Sequence, residues 1–269
     1  MTNTLRQSGR YIFLSIVAVL SVFPLYFMLV SATNTSQDVL ASKLVPGTQL
    51  MENVKNLFAS QDVVSAFWHS TLNAVVTTVL ALVISSIAGY GFEVYHSKAK
   101  DRFMWLLLLT IMIPFAATMI PLFQVFAKLG MINSTFAVVL PAIATPFLVL
   151  MFRQTARSFP HEIIEAARMD GIGELAIFFR MFIPTMRPAY VAATVITFLA
   201  AWNNFLWPKV ILLNNEYQTM PMLISNLLSG YVTDYGALML AVFIASVPTI
   251  VLFLLLQRSF VAGFTGAVK

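Results

Sequence analysis

Four charged side chains crowd one nine-residue stretch of this chain: Glu162, Glu165, Arg168 and Asp170. Carboxylates so close could share acid–base work if a cleft held them in reach of a substrate proton. Here they alternate with Ala166, Ala167 and Gly171, on a segment punctuated as short surface helices. His69, His96 and His161 stand singly, and no cysteine exists, so disulfide, thiolate and clustered metal-ligand readings fall away. No H-E-x-x-H, G-x-S-x-G or phosphate-cradling G-x-x-x-x-G-K-[ST] occurs. The closing run Gly263–Lys269 has glycine and lysine without the phosphate-loop spacing. The chain therefore reads as no enzyme, with no cofactor and no metal. The other polar set is uncharged: Asn73 and Thr77, four apart, then Thr194, Thr197, Trp202, Asn203, Asn204 and Trp207, with Thr197 and Asn204 seven apart on one helical face. Such groups line polar pathways, or glue apolar helices together.

The elements that carry these residues are set by composition. Of 269 residues, 59% are hydrophobic and 10% charged, with a mean hydropathy of +0.84. Soluble domains carry about 25% charged residues, so this chain cannot coat itself against water, and lipid is its expected solvent. A span needs about 20 mainly apolar residues. Six stretches qualify: Tyr11–Val30, Trp68–Phe92, Phe103–Phe126, Thr135–Phe152, Pro188–Leu206 and Leu238–Gln257. None holds Asp, Glu, Lys or Arg. They are too long for barrel strands, so the expectation is an all-α membrane protein of six transmembrane helices, a single domain over 1–269. The first run exceeds a signal-peptide core and reads as an uncleaved anchor.

Lysine and arginine bias orients the spans. With the N-terminus inside, twelve of the sixteen fall in cytoplasmic segments, and Lys43, Lys55, Lys128 and Lys209 fall outside. Both termini are then cytoplasmic, in a multi-pass cell-membrane protein. The net charge of +5 belongs to these loops rather than to a nucleic-acid patch. Pro24, Pro114, Pro121, Pro141, Pro146 and Pro248 lie in spans, as ordinary irregularities or as hinges. In the external loop, Met51–Phe58 suits a short amphipathic surface helix.

The longest inside loop, 153–187, is the informative one. Ser158 can cap a first helix with Pro160 in its opening turn, and Gly171 is its natural stop. A second helix runs to Pro184 with Leu175, Phe178, Phe179 and Phe182 at helical spacing. A hairpin this short cannot bury itself. It rests on the membrane or bundle, or docks on a partner.

Glu165-Ala-Ala-x-x-Asp170-Gly171, with Phe178, Pro184 and Pro188 at their spacings, resembles the EAA loop of ABC importer permeases. Ile172 and Met181 stand where that family has alanine and isoleucine. Met112-Ile-Pro114 with Ile120-Pro121, then Ala201–Pro208, and the tail Phe260–Lys269 resemble its carbohydrate-importer, maltose-type branch. The resemblance implies a type I importer permease fold forming half of a translocation pathway. It implies an ATPase docked at Glu165, Ala166, Ala167, Asp170 and Gly171. The implied partners are separate ABC ATPase subunits, a second homologous permease subunit and an extracytoplasmic solute-binding protein. The tail, Val261–Lys269, would reach the ATPase too. A sugar or oligosaccharide is the implied solute, and glycerol 3-phosphate or another polar solute is the alternative. The candidate solute pathway is Thr197, Trp202, Asn203, Asn204 and Asn73. An ion-coupled secondary transporter is the lower-ranked alternative; such proteins place ionisable groups in their spans.

Overall fold

The computed structural model describes residues 2–230 and 232–266; the end of the expected ATPase-reaching tail, Val261–Lys269, lies outside them. Among the described residues every regular element is helical. In chain order these are α1 (Thr2–Ser31), α2 (Ser36–Leu40), α3 (Leu50–Ser60), α4 (Val63–Val94), α5 (Lys98–Thr110), α6 (Phe115–Lys128), α7 (Thr135–Val139), α8 (Pro146–Arg157), α9 (His161–Met169), α10 (Glu174–Ile177), α11 (Ile183–Thr185), α12 (Arg187–Trp202), α13 (Leu206–Ile211), α14 (Met220–Leu228) and α15 (Tyr235–Gly266). Two compact units emerge, one from residues 1–64 and 220–248, the other from 65–219 and 249–269.

Among the described residues, four spans are long and apolar enough to cross a membrane: Gly9–Ser31, Val63–Val94, Arg187–Ile211 and Tyr235–Gln257. The two others, expected as continuous spans punctuated by proline, are broken. Lys98–Thr110 and Phe115–Lys128 meet at 97°, and Thr135–Ala142 and Pro146–Arg157 at 49°. Proline explains both breaks. The residue before proline is pushed out of helical backbone, and Thr145 is extended at φ −87, ψ 124 before Pro146. Pro114 is itself extended, at φ −64, ψ 133, ahead of α6. Pro141 sits in a 3-10 turn, while Pro24, Pro121 and Pro248 stay inside their helices.

In the first unit, α1 is apolar and bare, with none of its most hydrophobic window buried. The loop after it is held by amides. Asn53 Nδ2 donates to the carbonyls of Ala32 (2.8 Å) and Asn34 (3.0 Å), and Asn34 Nδ2 to that of Val45 (3.1 Å). Gly47 approaches so closely that a Cβ there would lie 2.6 Å from the Thr33 carbonyl oxygen. Asp234 opens α15, accepting from the Ala237 amide (3.1 Å), Ser36 Oγ (3.3 Å) and Asn56 Nδ2 (3.1 Å). The amphipathic helix expected near Met51–Phe58 is α3, which buries Asn53 and Leu57 and exposes Met51 and Phe58.

In the second unit, α4 presents small residues every fourth position: Thr77, Ala81, Ser85 and Gly89, all buried. Lipid offers apolar side chains nothing less favourable than protein does, so close van der Waals packing replaces the hydrophobic effect. Ala81 packs with Leu148 and Phe152 of α8 and Ala193 of α12. At Gly89 any Cβ would lie 2.6 Å from the Arg153 amide nitrogen and the Phe152 Cβ. Arg153 then donates to Glu93 (3.1 Å) and Asp101 (2.5 Å), pinning the end of α4 and the start of α5 to α8. Lys100 Nζ satisfies two of the last carbonyls of that region, Gly91 (3.1 Å) and Tyr95 (2.6 Å).

Candidate functional site

The hairpin after α8 begins at Pro160. The expected cap, Ser158, instead closes α8, its Oγ donating to the Thr155 carbonyl at 2.7 Å. Glu162 sits in the first turn of α9, where the helix dipole favours an anion. At the other end Gly171 adopts φ +74. Its amide donates to the Arg168 carbonyl (3.0 Å), and that of Ile172 to the Ala167 carbonyl (2.9 Å). This pair of bonds is a Schellman ending, which satisfies carbonyls the helix would orphan. A Cβ on Gly171 would meet nothing within 4 Å, so backbone conformation alone demands glycine.

The helix divides the motif between two faces. Ala167 is 3% exposed and points inward with Ile164. Glu165, Ala166 and Asp170 are exposed, and Met169 between them is 88% exposed. The second arm is not one regular helix. After α10, residues Phe178–Phe182 form a π turn, in which the Ile183 amide reaches the Phe178 carbonyl. The expected face is split: Phe178 and Phe182 are buried with Ile177, whereas Phe179 within the turn and Leu175 ahead of it are exposed.

Sequence reasoning missed the residue these side chains close on. Tyr90, near the end of α4, packs its ring 5.2 Å from Phe178 and 4.9 Å from Phe182. Ala156, Phe159, Ile164, Ala167 and Ile177 complete that cluster. A tyrosine amid the apolar residues of a span carries no motif, and only the small residues before it hint that its face is buried. The polar edge of the hairpin is tied separately. Arg168 Nε donates to Glu174 Oε1 at 2.6 Å, and its guanidinium lies 6.0 Å over the Tyr95 ring. The hydrogen bond from Arg168 holds the Glu174 carboxyl below its usual range. Burial, then Glu174, pushes the Tyr95 phenol up.

A second feature of the same unit is a cavity of about 410 Å³, walled by α4, the start of α6, the α7–α8 break, α12 and α13. Thr197 and Asn204 line it, with Thr77, Thr145, Phe115 and Trp207. The remaining pathway candidates stand outside its lining. Asn73 is buried on α4 with Oδ1 unpartnered. Trp202 is wedged between Phe67 (5.7 Å, edge-on) and Phe198 (5.9 Å, stacked). Asn203 Nδ2 donates to the Leu199 carbonyl at 2.9 Å, closing its own helix. Trp207 is oriented by its indole N–H, which donates to the Ala137 carbonyl at 2.8 Å. Thr145 was not legible beforehand, because it reaches the cavity only through the bend at Pro146.

Comparison with known proteins matches residues 81–266 to the family model described as binding-protein-dependent transport system inner membrane component. A lactose transport system permease protein of Rhizobium radiobacter is 43% identical over 273 residues, covering all of both chains. An arabinooligosaccharides transport system permease protein of Halalkalibacterium halodurans is 37% identical, over 94% of this chain and 93% of that one. Among solved structures, a chain of a bacterial ABC transporter that imports alginate superposes with a TM-score of 0.84 at 17% identity, over 97% of this chain and 98% of that one.

Proposed function

The chain belongs to the binding-protein-dependent transport system inner membrane components and is a multi-pass ABC importer permease subunit, and from that premise we propose that it carries a sugar or oligosaccharide. Its family implies ATPase and solute-binding-protein partners; a second, similar permease subunit is part of the proposal. The sugar follows from the names of full-length relatives at 43% and 37% identity. Residues 1–269 work as one permease domain with both termini cytoplasmic. The loop 153–187 faces the ATPase, which seats on Glu165, Ala166, Ala167, Asp170 and Gly171. Of the candidate pathway residues, Thr197 and Asn204 form the wall of the solute path, and Trp202, Asn203 and Asn73, outside the cavity lining, pack the helices around it.

The observation that carries the docking reading is the division of α9. Its inner face is closed by Tyr90, Phe178 and Phe182, and its outer face leaves Glu165, Ala166, Met169 and Asp170 uncovered. A push on the outer face reaches α4 through Tyr90. Thr77, at the cavity, lies thirteen residues earlier on the same helix, about 20 Å at 1.5 Å per residue. ATP-driven closure of the ATPase pair would thus favour one of two arrangements of the helices, a shift of population between existing states. The test is uptake by proteoliposomes holding the whole transporter. Lactose import that needs ATP and persists after ion gradients are collapsed supports the reading. Import that follows the gradients and ignores ATP contradicts it.

A further inference from the structure

We infer that the exposed face of α5 is a seat for an anionic phospholipid, with Lys98 and Arg102 on the headgroup phosphate and Trp105 and Leu109 along the upper acyl chain. The inference rests on the reading that places the α4–α5 turn at the cytoplasmic surface of the membrane.

Spacing builds the stripe. Lys98, Arg102, Trp105 and Leu109 follow one another at steps of four, three and four residues, so they share one face of α5. All four are exposed, Trp105 at 69%, whereas Met104 on the opposite face is buried. Along about 16 Å of helix the face therefore runs from two cations to an indole to an aliphatic side chain. That is the order of a bilayer boundary, from phosphate layer to hydrocarbon. Tryptophan favours this boundary, and lysine and arginine lay their stems on apolar surface while their heads stay in the polar layer.

The two cations are unengaged while the turn that carries them is fixed. Lys98 and Arg102 make no ion pair among the described residues. Between them, Lys100 Nζ is bonded to the carbonyls of Gly91 and Tyr95. Asp101 is held by Arg153 of α8 and lies 2.9 Å from His96 Nε2. The Ser97 hydroxyl accepts from the Lys100 amide at 3.3 Å and already caps the helix, so side chains rather than helix amides would meet an anion. Two outward charges one turn apart on a braced helix are pre-organised for one phosphate, and binding there orders little else. An apolar helix of a partner subunit on the same face would leave both cations buried without a counter-charge, which is costly. A zwitterionic headgroup brings a cation of its own, so a lipid of net negative charge fits better.

The probe is phosphatidylglycerol brominated on its acyl chains, which quenches an indole it touches. The whole transporter is placed in phosphatidylcholine vesicles with a minor share of phosphatidylglycerol, and the Trp105 signal is the emission lost in Trp105→Phe. Bromine on phosphatidylglycerol should quench that signal about tenfold more per lipid than bromine on phosphatidylcholine, as two cations at a bilayer surface favour anionic lipid. The preference should shrink in about 1 M salt and vanish when Lys98→Gln and Arg102→Gln are combined, while Arg102→Lys keeps most of it. The inference is overturned if the two lipids quench alike in the parent protein, or if the double variant keeps the preference. It is also overturned if millimolar inorganic phosphate abolishes the preference, which would make this a site for a soluble anion, or if neither lipid quenches, which would put protein on that face. Orientation is read separately. Ala99→Cys, in a chain without cysteine, should react with a membrane-impermeant maleimide only in opened cells. Reaction in intact cells would overturn the cytoplasmic placement and leave the lipid preference standing.

Discussion

The ring of Tyr90 lies 4.9 Å from that of Phe182, so the membrane helix α4 and the second arm of the cytoplasmic hairpin meet through two aromatic side chains. The Tyr90 hydroxyl is buried and has no partner, which separates the contribution of the ring from that of the oxygen. Tyr90→Phe should keep the ring contact and change stability by less than about 1 kcal/mol, since no hydrogen bond is lost. Tyr90→Ala should cost about 3–5 kcal/mol, as large-to-small changes in packed aromatic sites do, and should loosen coupling. The melting temperature of the purified transporter, with ATP hydrolysed per solute imported, checks both. Tight coupling in Tyr90→Ala would remove Tyr90 from the path of force.

Gly171 tests backbone against space. Because a Cβ there meets nothing within 4 Å, Gly171→Ala should cost only the left-handed backbone penalty, about 1–2 kcal/mol. Gly171→Asn should cost less, because asparagine visits that conformation more readily. Gly171→Leu adds bulk to the exposed side of α9 and should weaken binding of the ATPase about tenfold while membrane insertion is retained. Affinity of the purified permease for its ATPase distinguishes the three. An equal effect of all three would show that only the loss of glycine matters.

The ion pair of Arg168 with Glu174 gives a pH dependence. The folded Glu174 carboxyl is held below its ordinary value of 4.5. A depressed carboxyl contributes stability that is present above the unfolded value and is lost as pH falls through the folded one. The pair should therefore hold the arms together at neutral pH, with no change down to about pH 4.5, and weaken below it. Amide hydrogen exchange over Glu174–Ile177 should speed up in that acid range. Glu174→Gln should show the faster exchange at neutral pH and lose the acid step. An acid step retained in Glu174→Gln would assign it to another group.

Asn203 and Asn204 are neighbours with different surroundings. Asn203 bonds to its own helix, whereas Asn204 lines the cavity. Asn204→Ala should raise the KM for sugar uptake about fivefold to tenfold, the loss of one ligand hydrogen bond worth about 1–1.5 kcal/mol. Asn203→Ala should leave KM within about twofold. Uptake kinetics of the two variants side by side decide it, and the reverse ranking would move the solute path to the other face.

The sequence made the helical class plain because lipid forces backbone bonds to close within each helix, and long uncharged runs leave few other structures. Gly171 was legible as a stop for the same local reason. What escaped reading depends on geometry that no single periodicity encodes. Pro114 and Pro146 read as kinks, yet the extended backbone at Pro114 and Thr145 breaks two spans outright. A 3.6-residue period put Phe179 on one face with Leu175, Phe178 and Phe182, and the π turn at Phe178–Phe182 violates that period. Ser158 had the chemistry of a helix cap, but its position one residue past Arg157 gave it to the preceding helix. Thr197 and Asn204, seven apart and so about two turns along one helical face, could be paired in advance. Their partner Thr145 lies some fifty residues earlier in the chain, beyond the reach of any local pattern.

The two-faced α9 separates what can vary from what cannot. Met169 and Leu175 stand exposed, so changing them leaves the permease's own packing untouched and alters only what a partner feels. Ala167, Phe178 and Phe182 are packed around Tyr90, so a change there disturbs the lever itself. Mutation can therefore retune which motor the permease accepts while the transmission behind it stays intact.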